Sequence, residues 1–183
     1  MDYQFKYSNF GFAVVGAVLE EVYDEDYNIL MDSYIKKDLG LKHTRLSEGS
    51  GDLPNGWDWS ESDAYLPAGA LLSNVSDMMT YAKMQMLETP TYLSIAHKSL
   101  AIINASSSSN QKMGIFMDDA GAGWIMDQKN GIIWHNGATG NYNCYLGFDQ
   151  ERQIAVVVLS NLPPKYKIPA TVIGIEILTT LQK

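Results

Sequence analysis

The chain has 183 residues, 46% of them apolar, enough for one domain with a sizeable core or for two lobes sharing an interface. Lys and Arg total 13 against 21 Asp and Glu, and the net charge of −8 repels phosphate backbones and anionic lipid surfaces, which excludes nucleic acid as an expected partner. No apolar run reaches the ~18 residues of a membrane span. Met1-Asp2-Tyr3-Gln4 lacks the regions of a signal peptide, and the single Cys144 excludes an internal disulfide while leaving the compartment undecided.

In chain order, Phe10, Val14, Val18 and Val22, joined by Val15 and Leu19, recur at helical spacing and predict a buried helix from Asn9. Gly16 gives up helix propensity there, as expected where another backbone packs closely. After the acidic turn Asp24-Glu25-Asp26, the residues Tyr27, Leu30, Met31, Tyr34 and Ile35 predict a second amphipathic helix, closed by Gly40 as a left-handed cap. The Gly-, Ser-, Asp- and Pro-rich stretch 42–67 has no sustained period and reads as a long surface loop. Asn74 and Asp77 resemble a helix start, with Val75, Met78, Met79, Ala82 and Met86 on its apolar face. Thr89-Pro90 suggests a further helix, with Thr89 as cap and Pro90 in the first turn, and Ser106 to Asn110 reads as a polar linker.

Strands follow at Gly123 to Asp127, Ile132 to His135, Tyr142 to Phe148 and Gln153 to Ser160, with Asp149 to Arg152 as a hairpin turn. Ile154 to Leu159 is apolar throughout, which predicts a central strand covered on both faces. Pro163-Pro164 breaks the chain before a closing helix over Ile168 to Leu181. The fold class is α+β: a helical portion over 1–104 holding the loop 42–67, then an antiparallel meander and C-terminal helix over 105–183.

Several residues have plain structural readings. His43 and His97 lack a carboxylate or thiol at ligand spacing, so neither a metal nor any other cofactor is expected. Cys144 reads as a small strand residue, and Met78, Met79, Met84 and Met86 as core filling. Trp57, Asp58 and Trp59 either rim a cleft or pack down as a lid.

Two short groups carry chemistry: Tyr7-Ser8-Asn9 before the first helix, and His135-Asn136-Gly137 at the end of a strand. Phe5 to Phe12 with Val15-Gly16 and Leu19-Glu20 resembles the Tyr-x-Asn element of serine β-lactamase-like and penicillin-binding-protein-like hydrolases, which include class C β-lactamases, D-Ala-D-Ala carboxypeptidases and esterases. The order continues through Ile35 to Thr44, with Asp38 where proline is usual, and Pro67 to Ser73. It then runs through Gly123-Trp124, Ile133 to Gly140, Leu146 to Asp149 and Val156 to Asn161. The resemblance implies a fragment of the serine β-lactamase/DD-peptidase fold. It further implies that Tyr7 is the proton shuttle and Asn9 holds an amide carbonyl. His135 replaces the lysine of Lys-Thr-Gly, Gly137 clears the strand edge, and the Ala138 N–H is one oxyanion donor.

The family's Ser-x-x-Lys should precede Tyr-x-Asn, yet only six residues precede Tyr7. Ser33-Tyr34-Ile35-Lys36 and Ser109-Asn110-Gln111-Lys112 match the spacing but follow it, and both read as accidental. The expectation is therefore an inactive C-terminal fragment of a hydrolase whose full-length parent takes a small-molecule or peptide substrate. By resemblance that parent is exported or envelope-associated. The alternatives are a non-catalytic ligand-binding module and a structural remnant. Loss of the first strands of the family fold is expected to leave a sheet edge open to homodimerisation or domain swapping.

Overall fold

A computed structural model describes residues 5–49, 52–163 and 169–183. Met1 to Gln4, Pro164 and Ile168, which carry sequence expectations above, lie outside them.

Helix α1 (Asn9–Tyr23) starts where the Ser8 hydroxyl accepts a hydrogen bond from the Gly11 N–H at 3.0 Å. It forms as predicted but is not buried. Only Ala13 and Gly16 are enclosed, while Phe10 is 65%, Val18 54% and Val22 69% exposed. The reason is that the small-residue face does the packing, against α3 (Leu66–Gly69), and a Cβ at Gly16 would fall on the Pro67 ring. Gly16 thus accommodates a proline ring rather than another backbone.

Helix α2 (Tyr27–Ser33) runs on through a π-turn over Tyr34–Asp38, and Gly40 adopts the left-handed φ of 63° that its position called for. Ile35, Leu39 and Leu41 form a core cluster here against Tyr81 and Met84. The long loop contains one short strand, β1 (Arg45–Leu46), paired with β2 (Leu71–Leu72). In α4 (Val75–Leu87) the Asn74 side chain caps the Asp77 N–H at 2.9 Å. Met78, Ala82 and Met86 face the core, but Val75 and Met79 are exposed, so the apolar face is narrower than the periodicity implies. After Pro90 there is only a 3₁₀ turn, Thr91–Ile95, with Pro90 itself at the cap and the Thr89 hydroxyl donating to the Leu87 carbonyl. The turn's backbone bonds span three residues, Ala96 N–H to the Leu93 carbonyl at 3.1 Å and His97 N–H to the Ser94 carbonyl at 3.3 Å, and the chain then turns to the sheet, where the Leu100 N–H donates to the Ala120 carbonyl at 2.8 Å. The polar stretch at 106–110 is partly helical: the Ser107 hydroxyl caps α5 (Ser108–Lys112).

The six-stranded antiparallel sheet has the order β3 (Ala101–Ile102), β4 (Asp119–Ala120), β5 (Ile125–Asp127), β6 (Ile132–Thr139), β7 (Tyr142–Asp149) and β8 (Ile154–Ser160). Among the described residues β8 lies at the margin and not the centre, paired with β7 alone. Its continuous apolar run has another cause. Ile154, Val156 and Val158 pack toward α6 (Ala170–Leu181), while Ala155 and Val157 pack toward α4, so both faces are covered although one edge has no partner strand among the described residues. The α6 contact is close: Tyr145, 1% exposed, lies where side chains at Gly147 and Gly174 would be, and stacks on Trp134 at 6.1 Å. On the α4 face, His97 braces the layers, with Nδ1 3.1 Å from Glu88 Oε1 and Nε2 2.9 Å from Gln85 Oε1, edge-on to Trp124 and Phe148. His97 is thereby a structural residue.

Candidate active site

Capping by Ser8 has a consequence for its neighbour. Because the serine hydroxyl serves the helix start, the Asn9 side chain is free to line a cleft rather than cap the helix. Tyr7 precedes the cap and is exposed, and its ring centroid lies 6.3 Å from that of His135 on β6, with the planes at 35°. Residues 128 positions apart in sequence are therefore neighbours in space.

Strand β6 is half-paired at this point. Ile132 to Trp134 bond to β5, whereas among the described residues His135 to Thr139 have a partner only in β7 and their other flank has no strand paired to it. Gly137 and Ala138 lie on this stretch opposite Cys144 and Asn143. Alternation assigns side chains to the two faces: Asn136 donates to the Thr171 hydroxyl of α6 at 2.9 Å, which leaves His135 and Gly137 on the opposite face, with Tyr7. A Cβ at Gly137 would approach Cys144 Sγ at 3.2 Å, so the glycine relieves the strand's own packing as well as clearing the face. Burial pushes the Cys144 thiol up, away from nucleophilic use.

His135 is half-buried, and desolvation holds its pKa below the usual value, with an opposing backbone hydrogen bond at Asn136. Near neutral pH it is an uncharged imidazole with one donor and one acceptor. The unfolded imidazole titrates near 6.5, so the native state binds fewer protons in the window below that value. The stability contribution is complete above 6.5 and is lost as pH falls through the folded value. We expect His135→Gln to remove this part of the pH dependence of urea midpoints; an unchanged slope between pH 6.5 and 5 would contradict it.

A cleft of about 460 Å³ is lined by Asn9, Gly56, Trp57, Asp58, Trp59, Asp63, Tyr65 and Ala68. The loop that forms it is fixed over the β6–β7 turn. Asn141 N–H donates to the Asn55 carbonyl at 3.1 Å and the Tyr142 hydroxyl to the Pro54 carbonyl at 3.1 Å, while Gly140, at φ 55°, meets Asn55 and Gly56 with no room for a Cβ. The Trp59 ring and Thr139 both approach Gly69, at 3.7 and 3.6 Å from an ideal Cβ there, which brings the loop to the end of β6. The sequence singled out Trp57, Asp58 and Trp59 as a possible rim and Ala68 as part of the Pro67 to Ser73 segment, but not Asp63 or Tyr65. Their signal was the turn Asp63-Ala64-Tyr65, where Asp63 Oδ1 accepts the Tyr65 N–H at 2.9 Å. Among the described residues no group of three or more His, Cys, Asp or Glu is placed to hold a metal ion.

The chain resembles known proteins along nearly its whole length. In sequence it is 20% identical over 186 aligned positions to Protein flp of Staphylococcus aureus strain MW2, covering 89% of this chain and 34% of that protein. In structure it is similar to an octameric penicillin-binding protein homologue from Pyrococcus abyssi, with a TM-score of 0.76, 22% identity, and coverage of 98% and 43%. It is also similar to a beta-lactamase/D-alanine carboxypeptidase from Yersinia pestis, with a TM-score of 0.73, 19% identity, and coverage of 97% and 55%. A third similar structure is the D-amino acid amidase of Ochrobactrum anthropi SV3, with a TM-score of 0.69, 17% identity, and coverage of 98% and 57%. The chain thus spans about a third of the curated relatives' length and roughly half of the solved ones. The Beta-lactamase family model matches residues 2–173, and the chain belongs to that family.

Proposed function

We propose that this chain forms the substrate-holding side of a serine-hydrolase cleft, in a parent that cleaves amides or esters through an acyl-enzyme. The observation that carries the reading is the 6.3 Å approach of the Tyr7 and His135 rings beside the unpaired flank of β6. In this arrangement the substrate lies along His135 to Ala138. Asn9 donates its side-chain amide to the substrate carbonyl, the Ala138 N–H stabilises the developing oxyanion, and Tyr7 relays the nucleophile's proton. Neutral His135 positions Tyr7 or the leaving group by a hydrogen bond. β-Lactams, D-amino-acid peptides of the peptidoglycan type and simple esters are the candidate substrates, consistent with relatives described as a beta-lactamase/D-alanine carboxypeptidase and a D-amino acid amidase.

The nucleophile is proposed to come from a Ser-x-x-Lys outside this sequence. Lys36, the lysine that follows Ser33 at this spacing, is ion-paired with Asp32 at 2.6 Å, and Ser109 sits in the short helix α5. The chain alone should therefore bind amides reversibly and turn none over. Incubation with a fluorophosphonate or a fluorescent penicillin is expected to leave the intact mass unchanged. A covalent adduct on Ser33 or Ser109 would overturn this account. A non-catalytic ligand-binding module is the second reading, favoured by the same placement of those serines.

The uncovered stripe of α1 and the open edge of β8 fit a parent in which further polypeptide packs over both. Without it, the chain is expected to pair with a second copy through β8. Sedimentation velocity should show a concentration-dependent dimer. A monomer at all concentrations, with every Ile154 to Leu159 amide protected from exchange, would contradict it.

A further inference from the structure

The cleft beside Asn9 has walls of unusual composition for a site that holds a neutral carbonyl. Trp57 and Trp59 stand 5.9 Å apart with planes at 51°, Tyr65 completes an aromatic lining, and two carboxylates, Asp58 and Asp63, share the same walls. Among the described residues no Lys, Arg or His lines it. Asp63 spends one oxygen on the Tyr65 N–H, and Asp58 has no hydrogen-bond partner among the described residues, so acceptor capacity remains toward the cavity. A purely apolar lid would bury its rings and point its acids outward. Here Trp57 is 52% exposed and the acids line the same space. Its loop is held in place by the bonds to Asn141 and Tyr142, so the walls are preformed.

We propose that this cleft is a recognition subsite for a cationic group, an ammonium or guanidinium carried by the substrate, held over the Trp57, Trp59 and Tyr65 rings and faced by Asp58 and Asp63. Indole and phenol faces attract cations through their quadrupoles, and a carboxylate on the same wall adds charge complementarity. The net charge of −8 acts in the same direction at long range. The proposal draws on the hydrolase reading only in assigning the cation to a substrate, and it makes the parent selective for amine-bearing amides or esters over anionic ones.

The test uses the full chain and probes that contain no amide, so that failure of the hydrolase reading leaves the outcome interpretable. Benzyltrimethylammonium, benzyl alcohol and benzoate are titrated calorimetrically and by tryptophan emission, where Trp57 and Trp59 report because Trp124 and Trp134 are buried. The expected order is benzyltrimethylammonium at least tenfold tighter than benzyl alcohol, with benzoate weakest. In the Asp58→Asn, Asp63→Asn double variant, which keeps the acceptor for the Tyr65 N–H, the preference should fall to within about threefold while benzyl alcohol affinity is unchanged. Trp57→Leu should also weaken the cation severalfold. Equal affinities in the wild type, or a preference that survives the double Asn variant, would overturn the proposal. Separately, loss of phenylacetamide binding in Asn9→Ala reads the amide site without touching this conclusion.

Discussion

Gly140→Ala is expected to cost about 3 kcal/mol of local stability and to weaken cleft ligands at least tenfold. The backbone at Gly140 is left-handed, at φ 55°, where any Cβ carries a penalty of about 1 kcal/mol. The added carbon also meets the Asn55 carbonyl and, at 3.2 Å, the Gly56 Cα, which are backbone atoms that cannot rotate away. The loop must lift, which breaks the Asn141 N–H bond to Asn55 and the Tyr142 hydroxyl bond to Pro54, each contributing about 1 kcal/mol. Because the damage is confined to a surface loop, the global melting temperature should move less than ligand affinity. Acrylamide quenching of Trp57 and Trp59 should rise at the same time. Wild-type affinity and quenching in the variant would show that the loop does not depend on this contact.

The second large effect lies at the sheet–helix interface. Gly174→Ala gains about 1 kcal/mol of helix propensity, yet its methyl group would enter the Tyr145 ring, with Cε1 and Cγ both at 2.6 Å. The ring has no retreat, since its hydroxyl end already fills the space over Gly147 and its face stacks on Trp134. The Tyr145 hydroxyl is buried without a hydrogen-bond partner among the described residues, a further sign that packing governs this position. Over-packing of this kind costs about 3 kcal/mol or more, which for a chain of this size lowers the melting temperature by on the order of 10 °C. A Tyr145→Leu, Gly174→Ala pair should recover part of the loss, as a double-mutant cycle would measure. Independent, additive effects would contradict the contact.

Local signals written in a few neighbouring residues were legible: the Asn74 cap, the left-handed Gly40, the hairpin turn at Asp149 to Arg152, and the ordered segments that resemble the family. Long-range facts were less so. The apolar stripe of α1 predicts burial because periodicity reports what a helix could bury, not whether a partner surface lies over it. The all-apolar β8 predicts a central strand because covered faces and a covered edge leave different traces, and only the faces are recorded in side-chain type. At Pro90 a helix-compatible proline is followed only by a 3₁₀ turn, since from Leu100 the backbone pairs with Ala120 in the sheet, a partner distant in sequence. Motif order nominated Tyr7, Asn9, His135, Gly137 and Ala138, and of these the structure sets the Tyr7 and His135 rings 6.3 Å apart. Asp63 and Tyr65 were not nominated, since their presence at the cleft depends on how the loop docks on the β6–β7 turn, 75 residues or more away in sequence.

The most direct measurement uses the rings of Tyr7 and His135 as paired reporters by NMR, in protein labelled on tyrosine and histidine side chains and titrated with uncharged phenylacetamide. A ring-to-ring nuclear Overhauser effect between the two should be present in the free chain. Both rings, together with the Gly137 and Ala138 amides, should then shift along one saturable curve. Absence of that Overhauser effect, or shifts confined to a surface away from β6, would contradict the placement of a shared amide-holding cleft at these residues.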